Sequence, residues 1–466
     1  MDKRYKYLLK NIGILSVSNF SSKILIFLLV PVYTSILSTR EYGIYDLIIS
    51  TVQLLFPLFT LNIIDSVMRF CMDKQNSKRE VANIGLVYIF RSFFYMFIFL
   101  IICRRFYWGK SFDGLEIYIF FYFISYGFNQ FFAQFAKGME QVRDMGIAGV
   151  LGTFVLIGNS ILFLLVFKRG IVGFLLANIL AQAVSAGYYA IQLKIWKYIR
   201  KETKCKKLKK EMLEYCMPLM MTAIGWWVNS ASDKYVVSII CGISANGILS
   251  VAYKIPSIIN TFQTIFIQAW QISAIKEYGT RQSRLFYGNV FLDTNLLMSI
   301  VCAILIIFTK PIANILYAKD FYSAWMYVPF LLISSVLNSA SGFIGALLGA
   351  IKDSNSMAKA AVYGTSANII LNFILVCIMG VQGATIATVI SSLIIYIIRK
   401  KAISDTLIVD NYIKVILTWI LLFIQAMLEV YFEAWIMEVV IIITIIFVNR
   451  RNLFRLLKIN TFEKSK

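Results

Sequence analysis

The chain has 466 residues, 59% of them hydrophobic and 15% charged, with a mean hydropathy of +0.74 and a net charge of +22. A soluble chain of this length carries about a quarter charged residues, so an ordinary soluble two- or three-domain protein is excluded. The absence of histidine removes histidine metal sites and histidine acid–base chemistry, and the seven cysteines show no C-x-x-C spacing for a zinc site.

Apolar runs of about 20 residues, enough to cross the hydrocarbon core as helix, recur from end to end. The opening "MDKRYKYLLK" resembles a signal-peptide n-region. The apolar run after it is too long, carries Lys23 and lacks a small-residue cleavage site, so it reads as a retained first helix. Fourteen spans are expected, near 11–36, 44–70, 81–103, 115–136, 145–167, 170–193, 213–241, 246–274, 287–309, 323–348, 358–379, 382–398, 415–428 and 433–449. The fold class is an all-α polytopic membrane protein. With the N-terminus inside, 34 Lys and Arg fall on inner segments and 8 on outer ones. Lys23, Arg91, Lys234 and Lys254 lie within spans. That asymmetry puts both termini in the cytoplasm. The charge forms a cytoplasmic rim suited to anionic lipid heads, and no nucleic-acid partner is needed to explain it.

Taken along the chain, the first span places Ser16, Asn19 and Lys23 on one face. The second has Asp46, Ser50 and Gln53, then Pro57, then Asn62, Asp65 and Arg69 on a rotated face; Asp65 and Arg69 are spaced for an i,i+4 pair. Arg91 follows in span three. The basic loop "KIWKYIRKETKCKKLKK" divides the chain into a six-helix lobe over 1–193, a cytoplasmic linker over 194–212 and a second six-helix lobe over 213–402. Residues 403–466 supply two further helices and a basic tail.

Span seven carries Trp226, Asn229 or Ser230, and Asp233 on one face, with Lys234 adjoining. Span eight spaces Ser250, Lys254, Ser257, Thr261, Thr264, Gln268 and Gln271 by alternating fours and threes, a single polar face with Pro256 set to kink it. Asp293 follows in span nine. Intramembrane charge is expensive and turns toward protein or water. Hydroxyls and amides serve equally well as glue between helices. Asp233 reads either as a counter-ion or as a proton carrier. Lys23, Lys234 and Lys254 are expected to converge on one cavity between the lobes.

The halves echo each other. "STREYGIY" answers to "SANGIL", "KGMEQVRDM" to "GAIKDSNSM", and "GIVGFLLA" to "GVQGATIA", with offsets near 210 residues. A parallel pseudo-repeat around a central cavity follows, with the substrate at the repeat interface.

The first seventy residues also carry a resemblance. Pro31 and Tyr33 close the first span, Glu41-Tyr42-Gly43 and Tyr45 follow, and Arg69-Phe70 ends the second. This block resembles the bacterial Wzx-type oligosaccharide flippases, also called polysaccharide biosynthesis export proteins. The resemblance implies the fold of multidrug exporters and the lipid II flippase. It further implies a cytoplasmic-membrane transporter, not an enzyme, that flips undecaprenyl-pyrophosphate-linked oligosaccharide outward by alternating access for O-antigen or capsule assembly. A polymerase of the same pathway is a partner it allows. On this reading no cofactor is needed, and a proton or Na+ gradient drives transport because no nucleotide-binding motif is present. The expected cavity residues are Asn19, Lys23, Asp65, Arg69, Arg91, Asn229, Asp233, Lys234, Lys254, Ser257, Thr261, Thr264, Gln268 and Gln271. Cations there would hold the diphosphate, and hydroxyls and amides the sugars. A multidrug exporter of the same fold, a membrane polymerase or ligase, and a lipid scramblase are the rival readings.

Overall fold

A computed structural model describes residues 22–453 except 74, 106–111, 113, 199–205, 278–282, 352, 405–406, 410 and 433. Among the described residues there is no strand. Nine helices there are long and apolar enough to cross a membrane, and three shorter apolar ones accompany them. The chain forms two compact units, Met1–Ala231 and Ser232–Lys466.

In the first unit, α1 (Ser22–Ile36) leads into α2 (Thr39–Thr60). Ser38 starts α2 with a capping box: its hydroxyl accepts from the Glu41 amide at 3.2 Å, and the Glu41 carboxylate accepts from the Ser38 amide at 2.8 Å. Behind this cap Tyr33 stacks on Tyr42 at 4.8 Å, and Tyr45 packs on Phe174 at 4.5 Å. The Tyr45 hydroxyl also donates to Asn178 at 3.0 Å. The block that carries the resemblance thus pins the α1–α2 turn onto α7 (Gly170–Gln192).

The second expected span proves to be two helices. Leu61 and Asn62, both left-handed with φ of 51° and 52°, separate α2 from α3 (Ile63–Met72). Pro57 itself stays inside α2. Helices α4 (Lys78–Arg105), α5 (Glu116–Gly138) and α6 (Val142–Ile161) complete the unit before α7. Its centre is aromatic, with Phe123, Phe131 and Phe135 fully buried. Helix α8 (Lys206–Ile240) opens on this core, burying Leu208, Met212 and Cys216 in it.

The second unit takes the end of α8, then α9 (Ile243–Ala252) and α10 (Pro256–Glu277). The eighth expected span is likewise broken: Pro256, lacking an amide hydrogen, begins a new helix instead of bending an old one. Helices α11 (Ser283–Ile307), α12 (Thr309–Leu316), α13 (Val328–Ala350), α14 (Ser354–Met379), α15 (Val381–Ala402), α16 (Tyr412–Tyr431) and α17 (Trp435–Val448) follow. The span containing α13 is 89% buried and so forms the middle of its unit, whereas that of α14, at 22%, lies at the edge.

Lipid is as apolar as leucine, so packing and interhelical hydrogen bonds hold such helices together. Trp270 stacks on Phe343 at 4.2 Å, Trp419 donates to Asn295 at 3.0 Å, and Gln425 donates to the Ala303 carbonyl at 2.9 Å. Close approach needs glycine. In both units a glycine of positive φ starts the helix, Gly170 at 53° and Gly380 at 61°, and a second follows three residues on. A Cβ at Gly173 would lie 2.9 Å from that of Phe163, and one at Gly383 only 2.1 Å from the Leu375 carbonyl oxygen. The shared G-x-x-G spacing is therefore one packing device used twice.

Candidate functional site

Polar side chains inside apolar helices are the candidates, and each unit has its own set. In the first, Asp65 is held by two amides: Asn62 donates to one carboxylate oxygen at 2.8 Å and Gln134, from α5, to the other at 3.2 Å. The left-handed turn at Asn62 is what brings its side chain back over the first turn of α3. Among the described residues no ion pair joins Asp65 to Arg69, although the spacing suits one. Arg69 is exposed and free of a carboxylate there, and so is Lys23 on α1. Arg91 is exposed on α4, its guanidinium carbon 5.4 Å from the Tyr88 ring centroid. Asn19 lies outside the described residues. Nearby, Asn129 donates to Gln182, linking α5 to α7, and Trp227 donates to the Ser50 carbonyl at 2.7 Å.

In the second unit Asp233 is 4% exposed near the end of α8. Its carboxylate accepts the Tyr253 hydroxyl, which comes from the break between α9 and α10, and the Lys234 amide at 2.9 Å. Lys234 and Lys254 are half-buried. One residue before Asp233, Ser232 donates to the Asn368 side chain at 3.0 Å. Asn368 donates to Ser391 at 3.2 Å, and Asn372 donates back to the Asn368 carbonyl at 2.9 Å. This chain of hydrogen bonds ties α8, α14 and α15 together, and the Asn372 Oδ1 remains buried without a donor. A buried acceptor left open costs about 1–3 kcal/mol, which marks the spot as a place for a further polar group.

The expected stripe of span eight is divided by the helix break. Ser250 is buried on α9 and Lys254 stands in the break. Ser257, Thr261 and Thr264 follow on α10. Thr261 and Thr264 turn their hydroxyl hydrogens to the carbonyls four residues back, at 2.8 and 2.7 Å. Ser257 donates to the Lys254 carbonyl, three residues back. Their oxygens keep acceptor capacity, and Ser257, Thr264 and Gln271 are exposed. The side chains of Trp226, Asn229 and Gln268 lie outside the described set.

Sequence reasoning missed Tyr253, Gln134 and the Asn368–Asn372–Ser391 chain. A trace existed for the last: Asn368 and Asn372 are four apart and share a face of α14. Among the described residues no group of three or more acidic or thiol side chains could hold a metal.

The sequence and the fold match known proteins. A family model described as polysaccharide biosynthesis protein matches residues 8–271. Over 190 residues the chain is 26% identical to a protein described as probable low-salt glycan biosynthesis flippase Agl15, from Haloferax volcanii. That match covers 40% of each chain. Among solved structures, the lipid II flippase MurJ in an inward closed conformation gives a TM-score of 0.68 at 16% identity, covering 95% of this chain and 99% of that one. An inward-facing multidrug resistance transporter of the MATE family gives 0.67 at 14% identity, covering 84% of this chain and 98% of that one. The chain thus has the fold of these two proteins.

Proposed function

The chain belongs to the polysaccharide biosynthesis protein family, and from that premise we propose that it flips a lipid-linked oligosaccharide across the membrane. The substrate we infer is an undecaprenyl-pyrophosphate-linked oligosaccharide, moved from the cytoplasmic to the outer leaflet by alternating access without bond making or breaking. The family match over residues 8–271 carries this reading. The relative named as a flippase adds to it.

The chemistry is compatible. A diphosphate drawn into an apolar slab requires cations, and charge-assisted hydrogen bonds to phosphate are the strong ones. Lys23 and Arg69 are exposed and make no ion pair among the described residues, so they can serve it. The exposed hydroxyl and amide groups of Ser257, Thr264 and Gln271 suit sugar hydroxyls. Asp233 is the candidate for coupling to a proton or Na+ gradient. The proposed topology puts both termini and the 194–212 segment in the cytoplasm.

Expression in a strain that lacks its own oligosaccharide flippase tests the proposal. Restored surface glycan is the expected outcome. Drug resistance without restored glycan would instead assign the chain to the exporters of the same fold. Outside labelling of a cysteine placed at Lys206 would overturn the topology.

A further inference from the structure

The transport reading leaves one cation of the second unit unused. Arg399 sits in the last turn of α15, beside Lys400 and Lys401. Its Nη1 donates twice to Ser341 of α13, to the carbonyl at 3.0 Å and to the hydroxyl at 3.3 Å. Among the described residues it makes no other hydrogen bond, and no carboxylate pairs with it. Its Nε is buried without an acceptor, Nη2 has none either, and the side chain as a whole is only half-buried.

Nε and Nη2 form one edge of the guanidinium, a fork that grips two oxygens of a carboxylate or phosphate at once. A buried donor left open is costly, and more so on a charged group. The surrounding helices offer no carboxylate to close it, because α13, α14 and α15, which pack together, contain no Asp or Glu. Lys400 rests instead on the Tyr412 ring of α16. Helix α13 makes room for the guanidinium: a Cβ at Gly345 would stand 2.9 Å from Nη1. Attraction of a cation to the carbonyl end of its helix explains the last-turn position, and a clamp onto α13 explains Nη1. Neither gives the open edge an occupant. The end of a spanning helix lies at the level of the lipid headgroups, where phosphate is the abundant oxyanion and basic pockets between helices hold it.

We propose that the open edge of Arg399 binds one lipid phosphate in a notch between α13 and α15, with Gly345 as the residue that admits the guanidinium. The phosphate belongs to a bilayer phospholipid or to the diphosphate of a lipid-linked cargo, and the grip is the same for both. Binding is read without transport, so its failure and that of the flippase reading are separate results.

The test uses the full chain in a maltoside detergent, titrated separately with phosphatidylglycerol, a polyprenyl diphosphate and a glycosyl diacylglycerol that carries no phosphate. Native mass spectrometry reads the lipid retained, and the thermal midpoint is followed in parallel. A phosphate lipid should bind and raise the midpoint, and the phosphate-free lipid should not. An effect of phosphatidylglycerol makes the occupant a bilayer lipid; an effect of the polyprenyl diphosphate alone makes it the cargo. Arg399→Gln should weaken that binding by about tenfold or more and abolish the midpoint rise. Gly345→Ala should weaken it with no charge lost, because the added methyl meets the flexible end of the side chain and pushes the guanidinium aside. That variant answers the question if Arg399→Gln does not fold. Lys401→Gln, which removes an exposed cation of the same turn, should weaken binding by only about twofold. Equal losses from Arg399→Gln and Lys401→Gln would reduce the site to diffuse attraction and overturn the proposal. So would a midpoint rise that survives in both Arg399→Gln and Gly345→Ala, which would leave Arg399 as a clamp between helices. An equal response to the phosphate-free lipid, or no response to either phosphate lipid, overturns it as well.

Discussion

The Tyr253 hydroxyl, at the break between α9 and α10, donates to the carboxylate of Asp233 in α8, twenty residues earlier. The adjacent Lys234 contributes its backbone amide to the other oxygen. A break in one helix therefore supplies a donor to a buried acid in another. Tyr253→Phe should lower stability by about 1–3 kcal/mol, since it strips a partner from a buried carboxylate. Asp233→Asn separates the two roles for the acid. If Asp233 carries the coupling proton, the Asn variant folds and binds lipid-linked sugar but loses gradient-driven transport in vesicles. If it is a fixed counter-ion, gradient dependence stays and substrate affinity changes.

Gly383 and Gly158 make a controlled pair. A Cβ at Gly383 would stand 2.1 Å from the Leu375 carbonyl oxygen, backbone that cannot move aside, whereas one at Gly158 meets nothing within 4 Å. Gly383→Ala should force α15 away from α14 and cost about 1–3 kcal/mol or more. Gly158→Ala, in a helix interior, should be neutral or stabilising by up to about 1 kcal/mol. Thermal melts of the two variants in one detergent compare them directly, and equal melts would refute the close-approach role of Gly383.

The capping box makes a further claim. Ser38→Ala removes an acceptor for the Glu41 amide and should cost about 1 kcal/mol, the usual value for a lost N-cap. Because the residues behind the cap pack on α7, transport by the folded fraction should be unchanged. A drop in transport rate without a drop in melting temperature would give this segment a functional role as well.

How much of this was legible beforehand differs from residue to residue. Apolar runs announce helices because a membrane helix must be apolar for its full length, so the class of fold was plain. The break at Leu61 and Asn62 was not, because it rests on two left-handed residues without a glycine to signal them. Pro256 signalled a kink where one helix in fact ends and another begins, and it did not signal that Tyr253 would turn toward Asp233. Asp65 looked like a partner for Arg69 by spacing. Its real partners include Gln134, which is far away in sequence and indistinguishable there from any other helix amide.

Asp353 offers a pH test outside the membrane spans. Hydrogen bonds from Ser356, first from its side chain and then from its backbone amide at 3.0 Å, hold the Asp353 carboxyl below its ordinary value at the start of α14. A depressed carboxyl stabilises the fold above its unfolded value near about 4, and that contribution disappears as pH falls through the lower folded value. Asp353→Ala should therefore melt earlier than wild type at neutral pH, and the gap should close below about pH 4. A gap that stays constant down to strongly acid pH would mean the loss is steric.

The cations bear on the substrate itself. Lys23 and Arg69 are exposed and without a carboxylate partner among the described residues, so neutralising either leaves no buried charge behind. Lys23→Gln and Arg69→Gln should then melt within about 0.5 kcal/mol of wild type, as surface changes do. If they hold a diphosphate, each should weaken binding of a lipid-linked diphosphate sugar by about tenfold or more, one charge-assisted hydrogen bond to phosphate being worth about 1.5–3 kcal/mol. A lipid-linked sugar carrying no phosphate should be indifferent to both changes. Arg91 is a useful comparison, because its guanidinium already lies near the Tyr88 ring. Its substitution by Gln should affect diphosphate binding less if that contact is its main role. Equal losses for charged and uncharged lipids would place Lys23 and Arg69 in the folding of the first unit and remove them from the recognition of phosphate.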